Sequence, residues 1–183
     1  MKRKYFLFAL MLLNFFNEAI ADIKNSKILK WEGEWKGQCI IMPPLNGISE
    51  FGMNLSVSPV SGTDRYSWKI TYIRSKSTAP DVRAYELVPI DPENGQYAID
   101  EKTGIILDAF FNGNVLYSTF TISSKLLNTR YELTDSHSMV IEMSVFSATP
   151  IRRSQTPDSS FIVNSFGLLS VQHCSLKKES LSL

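Results

Sequence analysis

Soft metal ligands are scarce in this 183-residue chain, which has two histidines and two cysteines. A three-histidine metal site is therefore excluded, and the Cys/His spacing matches no structural zinc pattern. Nucleophilic catalysis finds as little to work with. There is no Gly-x-Ser-x-Gly, Ser136 and His137 are neighbours in one turn, and the Ser-x-x-Lys of Ser175–Lys178 falls at a strand end near the terminus. No Gly-rich phosphate loop is present. A formal net charge of +1 gives no basic field for nucleic acid or for an anionic membrane surface. Helical periodicity, internal repeats and low-complexity tracts are lacking as well. An enzyme would need a polar constellation assembled by the fold alone, so the enzymatic question stays open behind a non-catalytic reading.

Only the N-terminus holds a long apolar run. Lys2, Arg3 and Lys4 precede Tyr5–Phe16, and Ala19-Ile20-Ala21 supplies a small-x-small cleavage pattern. Residues 1–21 read as a signal peptide, with Asp22 the first mature residue. The run is shorter than the roughly 20 residues that span a bilayer, and no cysteine at the cleavage point suggests a lipoprotein. The expectation is an exported protein, periplasmic or secreted, with one domain over residues 22–183 and no membrane span in the mature chain. Loss of three basic residues and Glu18 takes the formal charge from +1 to −1.

What the chain does have is apolar runs of strand length cut by turns. From Tyr85 to Phe146 the runs are Tyr85–Ile90, Gln96–Asp100, Ile105–Phe111, Val115–Ile122, Thr129–Leu133 and Met139–Phe146. Between them lie Asp91–Gly95, Glu101–Gly104, Asn112-Gly113-Asn114 and Asp135–Ser138, all rich in residues that tolerate positive φ or pre-set a turn. Upstream, Trp35, Gly37, Cys39 and Ile41 share one face of a first strand. Gly52–Val57 reads as a second, and Tyr66, Trp68, Ile70 and Tyr72 alternate cleanly in a third. Arg74–Asp81 reads as a polar loop. Ser123–Asn128 is expected to form a helical turn, Ser147–Ser160 a long loop or cap, Phe166–Leu176 the last strand, and Lys177–Leu183 a frayed tail.

About ten strands in simple succession form an open sheet with two exposed edges, which closure removes. The fold class expected is all-β: a single antiparallel up-and-down barrel (a meander) of about 8–10 strands, with a two-sheet sandwich as the alternative. Closure sets the strand of Cys39 beside that of Cys174. In an oxidising compartment the two sulfurs either bridge or stay as separate buried thiols.

The aromatic set Tyr66, Trp68, Tyr72, Tyr85, Tyr97, Phe111, Tyr117, Phe120 and Tyr131 is the best ligand-binding candidate. Its tyrosines join an apolar ring to a hydroxyl that seeks a partner, which suits an amphiphilic guest; a packed core is the plain alternative. Asp108 and Glu142 lie on strand faces and are expected to point outward. Inward, they would need a partner such as Lys69 or Arg130. No cofactor is called for by the residues. If the barrel held haem or another tetrapyrrole, His137, His173, Met139 or Met143 would be the candidate axial ligands. Asn54-Leu55-Ser56 is a glycosylation acceptor in a eukaryotic host.

At Gly33-Glu34-Trp35, opening the first strand, the chain resembles the lipocalin-like (calycin) superfamily. That resemblance implies a barrel whose closed end is plugged by Trp35, with a basic residue near the last strand packed over the ring; Arg152, Arg153 and Lys177 are the candidates. The Thr-Asp-Tyr type segment of lipocalins is missing, and ten strands fit fatty-acid-binding or nitrobindin-like branches equally. Around Tyr66–Tyr72 and Ala98–Ile106 the chain also resembles uncharacterised exported bacterial proteins. The function expected is binding of a small apolar or amphiphilic molecule in the lumen without catalysis. The alternative is a protein-interaction or structural module with a side-chain-filled core.

Overall fold

Alternation of apolar and polar residues is realised as ten antiparallel strands, each hydrogen-bonded to the one before and the one after. The computed structural model describes residues 28–44, 47–74 and 79–180, so the expected signal peptide lies outside the described residues. The strands are β1 (Gly33–Met42), β2 (Ser49–Pro59), β3 (Tyr66–Ile73), β4 (Asp81–Asp91), β5 (Gln96–Asp100), β6 (Ile106–Asn112), β7 (Val115–Ile122), β8 (Lys125–Asp135), β9 (Ser138–Gln155) and β10 (Ile162–Lys178). Pairing of β1 with both β2 and β10 closes them into an up-and-down barrel. No edge is left along the barrel wall.

The seam between β1 and β10 is drawn tight. A Cβ on Gly37 would lie 1.9 Å from the Ser175 carbonyl oxygen, so only glycine fits there. One inward position further along, Cys39 and Cys174 are direct cross-strand partners and form a disulfide, with 135 residues between them in sequence. Glycine thus allows the approach, and the bridge holds it.

Side chains directly opposite one another in the ladder share a face, so the register defines the interior. From Trp35, paired with Leu55 and Lys178, the inward set passes through Val57, Trp68, Tyr85 and Leu87. It continues through Ile99, Leu107 and Ala109, then Leu116, Tyr131, Ile141 and Cys174. Asp108 and Glu142 fall on the opposite, outer face.

Several boundaries depart from the sequence reading. Residues 147–160 are not a loop. β9 runs to Gln155 and β10 starts at Ile162, so the two strands leave the barrel as a paired ribbon ending in a turn over residues 156–161. Its residues are exposed on both sides. A ribbon with no buried face writes no apolar alternation, which is why its composition resembles a loop. Ser123–Asn128 holds no helical turn: Ser123, at φ 54, and Ser124 make a tight β-turn, and β8 begins at Lys125. Lys177 and Lys178 are paired to Lys36 and Trp35, not frayed. β4 starts at Asp81, four residues earlier than the apolar run suggests.

Candidate functional site

One end of the interior is solid. Trp35 is fully buried, and its Nε1 donates to the Trp31 carbonyl at 2.8 Å. Trp31 reaches the interior from outside any strand, from a turn in which its own N–H donates to the Ile28 carbonyl. Its ring lies 5.9 Å from Trp68 and 5.4 Å, edge-on, from Phe111. Tyr97 packs edge-on against Phe111 at 5.0 Å, and Tyr131 against Trp68 at 5.4 Å. Edge-to-face contacts of this kind add to the burial energy of large rings. With Ile28, Val57, Tyr66, Leu87, Leu133, Met139 and Leu176, these side chains fill the floor of the barrel.

The basic residue over the Trp35 ring is Lys178, whose Nζ lies 5.2 Å from the ring centroid. The resemblance had pointed to Arg152, Arg153 or Lys177. The two arginines lie on the exposed ribbon, and Lys177 faces out to the Ser138 hydroxyl. Lys178 Cε occupies the space beside Gly33, which sits at φ +125.

The other end is a cup. Phe51, Tyr72, Tyr85 and Leu107 are only partly buried, packed on the core from above. The inward positions β8 and β9 add there are Leu127, Thr129, Met143 and Val145. Arg83 is the ladder partner of inward-facing Ile70, and Asp81 that of Tyr72, so an ion pair stands on the rim, Arg83 Nη2 to Asp81 Oδ2 at 2.9 Å. Neither residue was among the sequence candidates, although Asp81-x-Arg83-x-Tyr85-x-Leu87 alternates on one face. Deeper in, Trp68 Nε1 and the Tyr97 hydroxyl are buried and make no hydrogen bond of normal geometry.

Of the sequence candidates, Tyr66, Trp68 and Tyr97 are in the floor and fully or nearly fully buried, Tyr131 stands just above, and Tyr72 and Tyr85 line the cup. Tyr117 does not join them. It pairs with Phe110 and Arg130 on the outer face, where Arg130 also donates to Glu132. Both histidines are outside the lumen. His137 is in the exposed β8–β9 turn against Ser136, and His173 pairs with Glu142 and Ile40 on the outer face. Met139 is sealed in the floor, whereas Met143 is partly exposed in the wall of the cup. An open groove of about 550 Å³ lies over β1–β3, between Lys36, Gln38, Asn54 and Arg74, and reaches Phe51, which also stands in the cup wall. Among the described residues no cluster of three or more His, Cys, Asp or Glu is placed to hold a metal, and no helix is long and apolar enough to cross a membrane.

Burial raises the phenols of Tyr131, Tyr72 and Tyr85 above their ordinary value of 10.0. Glu101 adds to the rise at Tyr85 and Arg83 opposes it. In the unfolded chain each phenol ionises near its free value of about 10. Above that pH the unfolded state binds fewer protons than the native state, so stability falls as pH rises. The contribution is whole below the unfolded value and is lost through the raised native values. Denaturant midpoints are therefore expected to hold steady through neutral pH and decline on the alkaline side. The decline is expected to be shallower in Tyr131→Phe; an equal slope in that variant would show that Tyr131 is not responsible.

No model of a known protein family matches the chain, and no curated protein does. Solved structures do. A phycobiliprotein lyase of the S type, CpeS from Guillardia theta, superposes with a TM-score of 0.59 at 8% identity, covering 88% of this chain and 98% of that one. Rv2717c from M. tuberculosis gives 0.53 at 14% identity, with 87% and 98% covered. A DUF3598 family protein of unknown function from Nostoc punctiforme gives 0.58 at 10% identity over 83% of this chain. The match spans about half of that longer protein, 49%. At these identities the likeness is one of fold alone, a closed antiparallel β-barrel.

Proposed function

We propose that the protein is an exported, non-catalytic barrel that takes a small apolar or amphiphilic molecule into the cup at its open end. The observation that carries this reading is the change along the interior, from a floor with no exposed side chain to apolar walls left partly open at Phe51, Tyr72, Tyr85 and Leu107. A ring-lined cup with a few hydroxyls and an ion pair at the rim suits a guest with an apolar body and a polar end. The solid floor makes the guest short, or only partly swallowed. The fold shared with a protein named a phycobiliprotein lyase supports including tetrapyrroles among the guests tested. If a tetrapyrrole metal were held, Met143 is the one of the four candidate ligands on the cup wall. Export is supported by the leader-like residues 1–21 and by the disulfide, a bond typical of oxidising compartments.

The test uses protein recovered from the exported fraction with Asp22 at its N-terminus. Organic extracts are examined by mass spectrometry, and the purified barrel is titrated with a fatty acid, a tetrapyrrole and a fluorescent apolar probe. Saturable uptake that is weakened in Tyr72→Ala and Tyr85→Ala, and unchanged in Tyr117→Ala, is the expected result. An empty barrel with no uptake would leave the interaction-module reading, which the filled floor favours.

A further inference from the structure

We propose that the free edge of β10, centred on Asn164, is a self-association surface on which two copies of this chain pair antiparallel across a twofold axis. Among the described residues, the ribbon formed by Thr149–Gln155 and Ile162–Ser170 is paired with no third strand. Ile151 is 72% exposed and Phe161 69%, with Ile162, Val163, Phe166, Leu168 and Leu169 also open to solvent. An isolated two-stranded ribbon is marginal in water, and a third strand is what makes such a unit stable. Its backbone edges are open because β8 stops pairing with β9 at Ser147 and β1 stops pairing with β10 at Val171.

The two edges are chemically unlike. The β9 edge carries Pro150, Arg152 and Arg153, a proline and two like charges, which are standard devices against strand addition. From Ile162 to Ser170 the β10 edge has no charge and no proline. Thr156 N donates to Phe161 O at 3.1 Å, so that pair is a hydrogen-bonded one. By the alternation of antiparallel ladders, the N–H and C=O of Ile162 and Asn164 then point away from β9, toward the free side. Register shifts begin after Ser165, which leaves the regular part of the edge around Asn164.

A second copy fits this edge better than a foreign strand. Around a dyad at Asn164 the same-face residues Ile162, Asn164 and Phe166 read apolar, polar, apolar in both directions. Ile162 then meets Phe166 of the other copy, and Asn164 meets Asn164. Uncharged like edges do not repel. The arginines of the two copies sit on the outer strands, three strand spacings or roughly 14 Å apart, beyond a screening length of about 8 Å. The antiparallel arrangement also carries the two barrels to opposite ends of the four-stranded ribbon. An acidic partner strand would instead have chosen the β9 edge.

Sedimentation velocity on the full chain tests this. The expected result is a concentration-dependent doubling of mass that is lost in Asn164→Pro. That change removes an outward N–H and spares the ladder to β9, so circular dichroism and guest uptake are expected to stay unchanged. In addition, Asn164→Cys is expected to form a covalent dimer under air, whereas Arg153→Cys, opposite it on β9, is not. A chain monomeric across the micromolar range, a dimer untouched by Asn164→Pro, or equal crosslinking by the two cysteine variants overturns the proposal. So does binding to anionic vesicles that is lost in Arg152→Ser/Arg153→Ser without any dimer, which would assign the tip to a lipid surface.

Discussion

Reducing the Cys39–Cys174 bridge is expected to destabilise the barrel by about 5 kcal/mol, from the chain-entropy cost of closing a loop of this size. At this length that corresponds to a fall in Tm of roughly 10–20 °C. The loop runs from within β1 to within β10, so it holds β2 to β9 whole and leaves out the start of β1 and the end of β10. The same value is expected from two routes: denaturant unfolding with and without a reductant, and unfolding of the Cys39→Ser/Cys174→Ser protein. If the double variant does not accumulate, the reduced wild type still gives the number. A loss below about 1 kcal/mol by either route would mean that the β1–β10 ladder, eased by Gly37, holds the seam alone.

Trp35→Ala is expected to cost about 3–5 kcal/mol, the range for removing a fully buried large ring without refilling. The ring is opposed by Leu55 across the ladder, capped by Lys178, and tied through Nε1 to the Trp31 carbonyl. Its loss therefore also frees Trp31, which has no strand of its own to hold it. Tryptophan fluorescence is expected to shift to the red as Trp31 meets water. Lys178→Met separates the contributions, since it keeps the stem and removes only a cation–π contact worth about 0.5–1 kcal/mol. A Trp35→Ala protein as stable as wild type would show that the floor is held by Trp68 and Phe111 without it.

The barrel was legible because most of its wall has one dry face and one wet face. Tyr66–Ile73 and Met139–Phe146 alternate, and Gly- and Asn-rich turns separate the strands. What was not legible lacked that contrast. Trp31 enters the interior from a turn, so no period announces it. In Val115-Leu116-Tyr117 both faces are apolar, and the parity of Tyr117 has no signal; pairing with Arg130 settles it on the outside. Lys177 and Lys178 differ by one residue, and one residue turns a strand side chain from one face to the other. Asp81 and Arg83 were hidden by charge, because a strand that starts at an open rim begins with polar residues facing inward.

The covalent seam has a consequence for traffic. With β1 and β10 bolted together partway along their length, that seam cannot unzip sideways while the sulfurs stay oxidised. A vessel closed at the bottom and welded along its side has one orifice. On the proposed reading, a guest would enter and leave past Asp81 and Arg83, end-on, and reduction of the bridge would open a second route along the β1–β10 seam.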